Sequence, residues 1–467
     1  MKKYLFLLFC CIGTGALGQT VKEKLQAAMQ ELEADAQMRH AIIGFSVVDA
    51  KTGDSVFDHN AQVGLAPAST QKILTSCAAF DLLGKQFRYT TSVVYKHLRA
   101  SPSRSYFVIQ PSCDPSFGSA RFDSTRPGTV LKKIIAAIKQ QKITPISPQY
   151  VITDSAYGGN TVPGGWLWED IGNYYGAPAQ SFNWMENQYD LVLKTGRRTG
   201  EKVTLVTTKP AGLADDLRVN VKTGERGSGD NSIVYPGYGA APPAMEGELP
   251  AGEEAYTVGA SMPDPRDVFI QQMNNTIKAE GINMFYGFDN HPPILTLPDS
   301  IFDFIPIYRH VSPPLDSLNY WFLKKSINLY GEAFIKTMAF EKYAAGTTAK
   351  GVELLKDFWA DNGIEKSAIN ICDGSGLSPQ NRVTPDALVK ALQYAKTRPW
   401  FASFFYALPE YNGMKMKSGS IGGARAYAGY HTAKDGKQYV FSIMINNYDG
   451  EAAQVVKKMY ALLDNLK

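Results

Sequence analysis

Three textures of apolar and polar positions follow one another along the chain. Residues 21–36 place apolar side chains at helical spacing among polar, helix-prone ones, which predicts an amphipathic helix. Residues 41–49 and 54–58 are strand-like and are joined by Ala50-Lys51-Thr52-Gly53, which predicts a β-hairpin. The apolar run 72–83 lacks Gly and Pro and follows the turn at Pro67, which predicts a helix beginning near Ser69. After residue 90 the texture changes to short β-like runs at 90–95, 105–110, 150–153, 190–193 and 202–206. Gly and Pro are dense over 225–253, which predicts mostly loop, and a helical pattern returns at 266–280. Trp166 and Trp168, in a Gly- and Trp-rich stretch, are expected in the core of this part rather than as a sugar platform. The third texture starts near Pro313-Pro314. It holds a long helical region at 315–343, helices at 347–361 and 385–397, strand-like runs at 414–418, 425–432 and 439–446, and an amphipathic helix at 451–466. Strands flanked by helices predict an α/β (α+β) layout, an antiparallel sheet covered by helices and completed by the opening hairpin. The expected division is a domain built from 19–89 and 295–467 and interrupted at 90–294 by one or two mainly β modules.

Composition narrows this picture. Residues 1–18 join Lys2 and Lys3 to a short apolar run and small residues at Ala16 and Gly18, the pattern of a secretory leader cleaved after Gly18. The run is too short for a membrane span, and no later segment is long and apolar enough for one. The rest is expected to be exported. Cys77, Cys113 and Cys372 remain beyond the leader, an odd and sparse set that reads as buried thiols, with one bridge left open. The net charge is +4, and Lys2 and Lys3 account for two of these charges, leaving +2. That balance gives no case for nucleic acid or a membrane surface. No spacing suggests a metal site, and no cofactor is implied.

The candidate chemistry lies at the joins between textures. Ser69 and Lys72 share one face of a helix start, so a neutral amine can take the hydroxyl proton. Unpartnered N–H groups of the first turn can hold an oxyanion. Ser326 and Asn328 lie two residues apart, where a loop or helix end can project both. Lys417-Ser418-Gly419-Ser420 ends a strand-like run, with a cation, two hydroxyls and a glycine that permits close backbone approach. Three other Lys-Thr-Gly tripeptides, at Lys51, Lys194 and Lys222, precede Ser326 and lie outside the required order.

The order Ser-x-x-Lys, Ser-x-Asn, Lys-Ser-Gly resembles the motif set of penicillin-binding proteins and serine β-lactamases. Nearly the whole mature chain is similar to the D-alanyl-D-alanine carboxypeptidases/endopeptidases of the class C low-molecular-mass penicillin-binding proteins. The likeness extends to Gly176-Ala177-Pro178 with Asn183 and Glu186-Asn187, Ser312-Pro313-Pro314-Leu315, Asp373-Gly374-Ser375-Gly376-Leu377-Ser378 and Val383-Thr384-Pro385. It implies a transpeptidase/β-lactamase-like domain split by inserted modules, acting in the periplasm on peptidoglycan stem peptides and binding β-lactams. It also implies Ser69 as nucleophile and Lys72 as base, with the Lys417 cation lowering the affinity of Lys72 for its proton. Ser326 relays a proton, and Asn328 orients Lys72. Lys417, Ser418, Gly419 and Ser420 bind substrate, the N–H groups of Ser69 and Ser420 form the oxyanion hole, and Asp373–Gly376 shapes the floor. Three departures stand out: Ile327 replaces an aspartate, Ser418 a threonine, and Pro379 a frequent arginine. The six histidines, His310 included, are assigned no catalytic part. A β-lactamase or esterase on the same fold and a non-catalytic wall-binding scaffold stay open as alternatives, as do endopeptidase activity and the oligomeric state.

Overall fold

The computed structural model describes residues 19–143, 149–153, 157–282, 287–288 and 298–467. The leader expected at 1–18 lies outside the described residues. A six-stranded antiparallel sheet runs in the order Glu410–Tyr411, Met414–Ile421, Ala424–Thr432, Gln438–Asn446, Ile42–Asp49, Ser55–His59. The opening hairpin therefore docks on the last strand, with Ile42 opposite Asn446 and Asp49 opposite Tyr439. Along Gln438–Asn446 the side chains alternate between two cores. Tyr439, Phe441, Ile443 and Ile445 pack with Leu25, Met29, Met459 and Leu463 of the terminal helices Val21–Ala34 and Ala452–Leu463. Val440 and Met444 face the larger core with Leu74, Phe334 and Leu388. Burial on both faces explains why this strand reads as a continuous apolar run.

The helix Lys72–Leu82 is buried from Lys72 to Phe80, and an all-round apolar helix belongs in a core. The long helical region expected at 315–343 is two helices, Leu315–Lys324 and Asn328–Tyr343. They are broken where Ser326 takes φ 58°, a left-handed conformation that no helix continues through. Ile327 packs into the core beside this break.

Among the described residues, 90–311 build three further sheets. One runs Gly287–Phe288, Gln149–Ile152, Ser101–Gln110, Thr90–Leu98, Phe302–Val311, and the others have three and four strands. The stretch 225–253 is largely loop, as its Gly and Pro predict, but it also holds the short strands Asn231–Tyr235 and Ala244–Leu249, which pair antiparallel. Residues 90–311 also hold the helix Pro127–Gln140, which buries Val130, Leu131, Ile134, Ile135 and Ile138. Strand Phe302–Val311 pairs with Thr90–Leu98 along its length, so pairing in this sheet continues past residue 295. The outgoing and returning chains are tied together there. Ser312 N–H donates to Tyr89 O at 3.0 Å and Tyr89 N–H to Ser312 Oγ at 2.9 Å. Cys77, Cys113 and Cys372 are free thiols.

Candidate active site

Chain direction changes abruptly before Ser69. Ala68 takes φ 45° and opens a 3₁₀ turn, Ala68–Gln71, that leads into the α-helix at Lys72. Ser69 thus sits one turn earlier than the α-helix, with its hydroxyl beside the lysine. The Lys72 ammonium position, Nζ, lies 2.8 Å from Ser69 Oγ, 2.6 Å from Asn328 Oδ1 and 2.6 Å from Ser375 O. Asn328 opens its helix, and its Nδ2 donates to Tyr175 O at 2.7 Å. Ser326 stands at the break just before it and lines the same cleft. The side chain of Ile327, where the aspartate is missing, is buried away from the cleft.

Strand Met414–Ile421 forms the opposite wall. Its partner Ala424–Thr432 pairs with it through Ile421, whereas Glu410–Tyr411 on the other side reaches only Met414 and Lys415. The edge from Lys417 to Ile421 is therefore open to an extended peptide. A Cβ on Gly419 would lie 2.4 Å from Pro67 O and 3.1 Å from Ser69 N. Only glycine lets the strand come this close to the Ser69 turn. Ser418 and Ser420 line the cleft, which measures about 660 Å³. Lys417 is buried below it, and its Nζ donates to Ser418 O at 2.8 Å. The cleft lining includes none of Lys51, Lys194 and Lys222.

The floor is the turn Asp373-Gly374-Ser375-Gly376, and a buried carboxylate organises it. Asp373 Oδ1 accepts from Gln71 Nε2 at 3.0 Å, Gly376 N at 2.8 Å and Asn381 Nδ2 at 2.9 Å. Its Oδ2 accepts from Ser378 N at 2.7 Å and Trp166 Nε1 at 3.0 Å. Gly376 has φ 83°, and a Cβ there would fall 2.0 Å from Ala68 O. Glu332 underpins the same turn, with its two oxygens 3.0 and 3.2 Å from Gly374 N.

Comparison with known proteins matches residues 25–411 and 409–466 to the model of the D-Ala-D-Ala carboxypeptidase 3 (S13) family. The chain belongs to that family. The chain is 23% identical to a D-alanyl-D-alanine carboxypeptidase of an Actinomadura species over 483 aligned residues, spanning 96% of this chain and 85% of the relative. It is 23% identical to D-alanyl-D-alanine carboxypeptidase DacB of Haemophilus influenzae over 428 aligned residues, spanning 87% and 85%. The crystal structure of penicillin-binding protein 4 from Haemophilus influenzae superposes with a TM-score of 0.75 at 19% identity, covering 95% of this chain and 99% of that one. The shared fold is the mixed α/β one described above.

In this carboxypeptidase-family chain, burial sets the electrostatics. Lys72 is fully enclosed, and loss of hydration pulls its pKa down to about 7, against the opposing pull of Asp373 and Glu332. Burial thus comes before the expected repulsion between Lys72 and Lys417; the Lys417 pKa falls well below that of an ordinary lysine, first through burial and then through Lys72. Glu332 rises to about 8, chiefly through burial and then through Asp373. Trp168 also departs from expectation: it is exposed, while Trp166 is buried and reaches Asp373. Sequence reading missed Trp166 as a floor contact, Tyr175 as the carbonyl behind Asn328, and Glu332. The last had a visible signal, since it lies one helical turn after Asn328.

Proposed function

We propose that this family member hydrolyses the bond before the terminal D-alanine of peptidoglycan stem peptides through an acyl-enzyme on Ser69, and that penicillins acylate the same oxygen. The observation that carries this is the buried Lys72 amine, held 2.8 Å from Ser69 Oγ by Asn328 and the Ser375 carbonyl. Neutral Lys72 takes the Ser69 proton as Oγ attacks the carbonyl carbon. The oxyanion is received by the N–H groups of Ser69 and Ser420, which Gly419 brings together. Ser326 passes a proton to the departing amine, and the acyl–Oγ bond is then broken by water, with Lys72 again as base. Lys417, Ser418 and Ser420 receive the terminal carboxylate. That anion restores the proton affinity of the buried Lys417, so the site's charge is completed by its substrate.

The outer division follows from the sheets. We read 90–311 as the inserted part and 19–89 with 312–467 as the catalytic part, a return later than the expected 295, because Phe302–Val311 belongs to the inserted sheet. Export rests on the leader at 1–18, and the expected compartment is the periplasm. No helix among the described residues is long and apolar enough to cross a membrane.

Intact-mass spectrometry after incubation with penicillin tests the assignment. A stable adduct mapped to Ser69 is expected, and folded protein that stays unlabelled overturns it. A digest of free pentapeptides and cross-linked muropeptides then separates carboxypeptidase from endopeptidase turnover. Rapid nitrocefin hydrolysis would favour the β-lactamase alternative.

A further inference from the structure

The inserted part meets the cleft with exposed rings. Trp168 is 45% exposed and Tyr238 80%, and they meet edge-on with centroids 5.8 Å apart and planes at 89°. Leu167 and Tyr174 extend the patch at 42% and 52% exposure. Leu167, Glu169 and Tyr174 line the cleft that holds Ser69, so Trp168, between the first two, stands at its lip.

The patch is built before any ligand arrives. Tyr238 N–H donates to Ala241 O at 3.1 Å and Ala241 N–H to Tyr238 O at 3.0 Å, which closes the Tyr238 turn. Val234 N–H donates to Asn173 Oδ1 at 3.0 Å and Ser261 N–H to Gly172 O at 2.9 Å, which clamps the Trp168 segment to the neighbouring strands. Holding large apolar rings in water forgoes the burial that makes aromatic residues stabilising. Contiguous exposed rings mark a contact surface.

The neighbouring groups decide the occupant. Glu169 and Asp170 carboxylates line the cleft beside the rings. Flat apolar faces next to carboxylate acceptors suit a molecule with C–H faces and hydroxyl or amide edges, which describes a pyranose ring. A purely apolar ligand face would leave the Glu169 carboxylate without a donor, whereas Asp170 is already met by the Tyr175 hydroxyl. The stem peptide in the cleft is a branch of a polymer of β-1,4-linked N-acetylated amino sugars, and this lip borders the cleft. From these observations we infer that the Trp168–Tyr238 rim binds the glycan strand carrying the stem peptide. The inference rests on the cleft acting on wall peptides.

The test compares a free stem pentapeptide with the same peptide on its disaccharide, using the wild type, Trp168→Ala and Tyr238→Ala. KM for the disaccharide form is expected to be about tenfold lower in the wild type. Each variant is expected to erase that advantage while penicillin acylation of Ser69 keeps its rate. Equal KM values in the wild type, or variants that keep the advantage, overturn the inference while leaving the acyl-enzyme assignment standing. If Ser69 is not acylated at all, that assignment fails. The rim is then decided by tryptophan-fluorescence titration with peptide-free glycan oligomers, where saturable binding lost in Trp168→Ala supports it and no binding overturns it. Rim variants that only convert a dimer to monomer in sedimentation, without glycan binding, also overturn it.

Discussion

Two sides of one cleft are built on opposite rules. On the catalytic side the polar groups are hidden: Lys72, Lys417, Glu332 and Asp373 are all buried, and Gly419 and Gly376 let backbones touch where a methyl group would collide. On the inserted side, rings that a core would bury stand in water, and the segment reaches the floor and the base through Trp166 Nε1, the Gly165 carbonyl and the Tyr175 carbonyl. A reaction needs fixed distances, and close packing around buried charge supplies them. Selecting a substrate needs accessible surface. The inserted wall serves both ends by anchoring these contacts and leaving its rim exposed.

The largest expected effect comes from removing the fixed chemistry. Ser69→Ala should lower acylation by about 10⁴-fold or more while the far-UV spectrum and melting temperature hold. A variant still labelled by fluorescent penicillin would end the assignment. Gly419→Ala asks whether the catalytic side depends on contact at the level of a single carbon. Its Cβ would meet Pro67 O at 2.4 Å, and the wall must retreat from Ser69. A loss of about a hundredfold in acylation rate is expected, with a destabilisation of about 1–3 kcal/mol, measured by stopped-flow labelling and urea unfolding. Acylation like that of the wild type would mean the two walls need not touch.

The pH dependence sharpens the same contrast. Lys72 must be neutral, and its pKa is about 7, so the acylation rate should rise with pH through that value and be about tenfold below its plateau one unit lower. For stability the sign follows from the lowered value: the unfolded chain holds this proton up to the ordinary lysine range, while the folded chain releases it near 7. The stability contribution of Lys72 therefore rises with pH between these limits, and a urea series from pH 7 to 10 checks it in Lys72→Met against the wild type. The smallest effect is expected from Trp166→Phe, which keeps an aromatic ring, though a smaller one, and removes one of five donors to Asp373. Loss of a hydrogen bond to a buried carboxylate should cost about 1.5–3 kcal/mol and slow acylation severalfold. An unchanged rate would make the inserted anchor purely structural.

Much of the catalytic side is legible in the chain. Ser69, Lys72, Ser326, Asn328 and Lys417 follow in order, and the predicted helices and strands around them lie within a few residues of the observed ones. These features are local: a turn before an apolar helix, a strand ending in glycine. The inserted side is harder because its contributions are long-range. Trp166 reaches a carboxylate 207 residues away, and Tyr175 contributes a backbone carbonyl, which no residue type advertises. The helix Pro127–Gln140 carried a plain apolar stripe and a proline at its start, yet the β-like texture around it obscured both. Short strands at 231–235 and 244–249 were hidden by the glycine and proline density that shapes their turns.

The pairing of Ile42 with Asn446 has a temporal meaning. Strand Met414–Ile421 reaches the opening hairpin only through Ala424–Thr432 and Gln438–Asn446. The wall that faces Ser69 is therefore absent from every chain still lacking its final strands, although the nucleophile and its lysine were made long before. Contacts this distant in sequence form last, after the loop-closure entropy between them has been met. A partly made chain thus carries Ser69 without the strand that faces it, and the complete cleft arrives with the C-terminal residues.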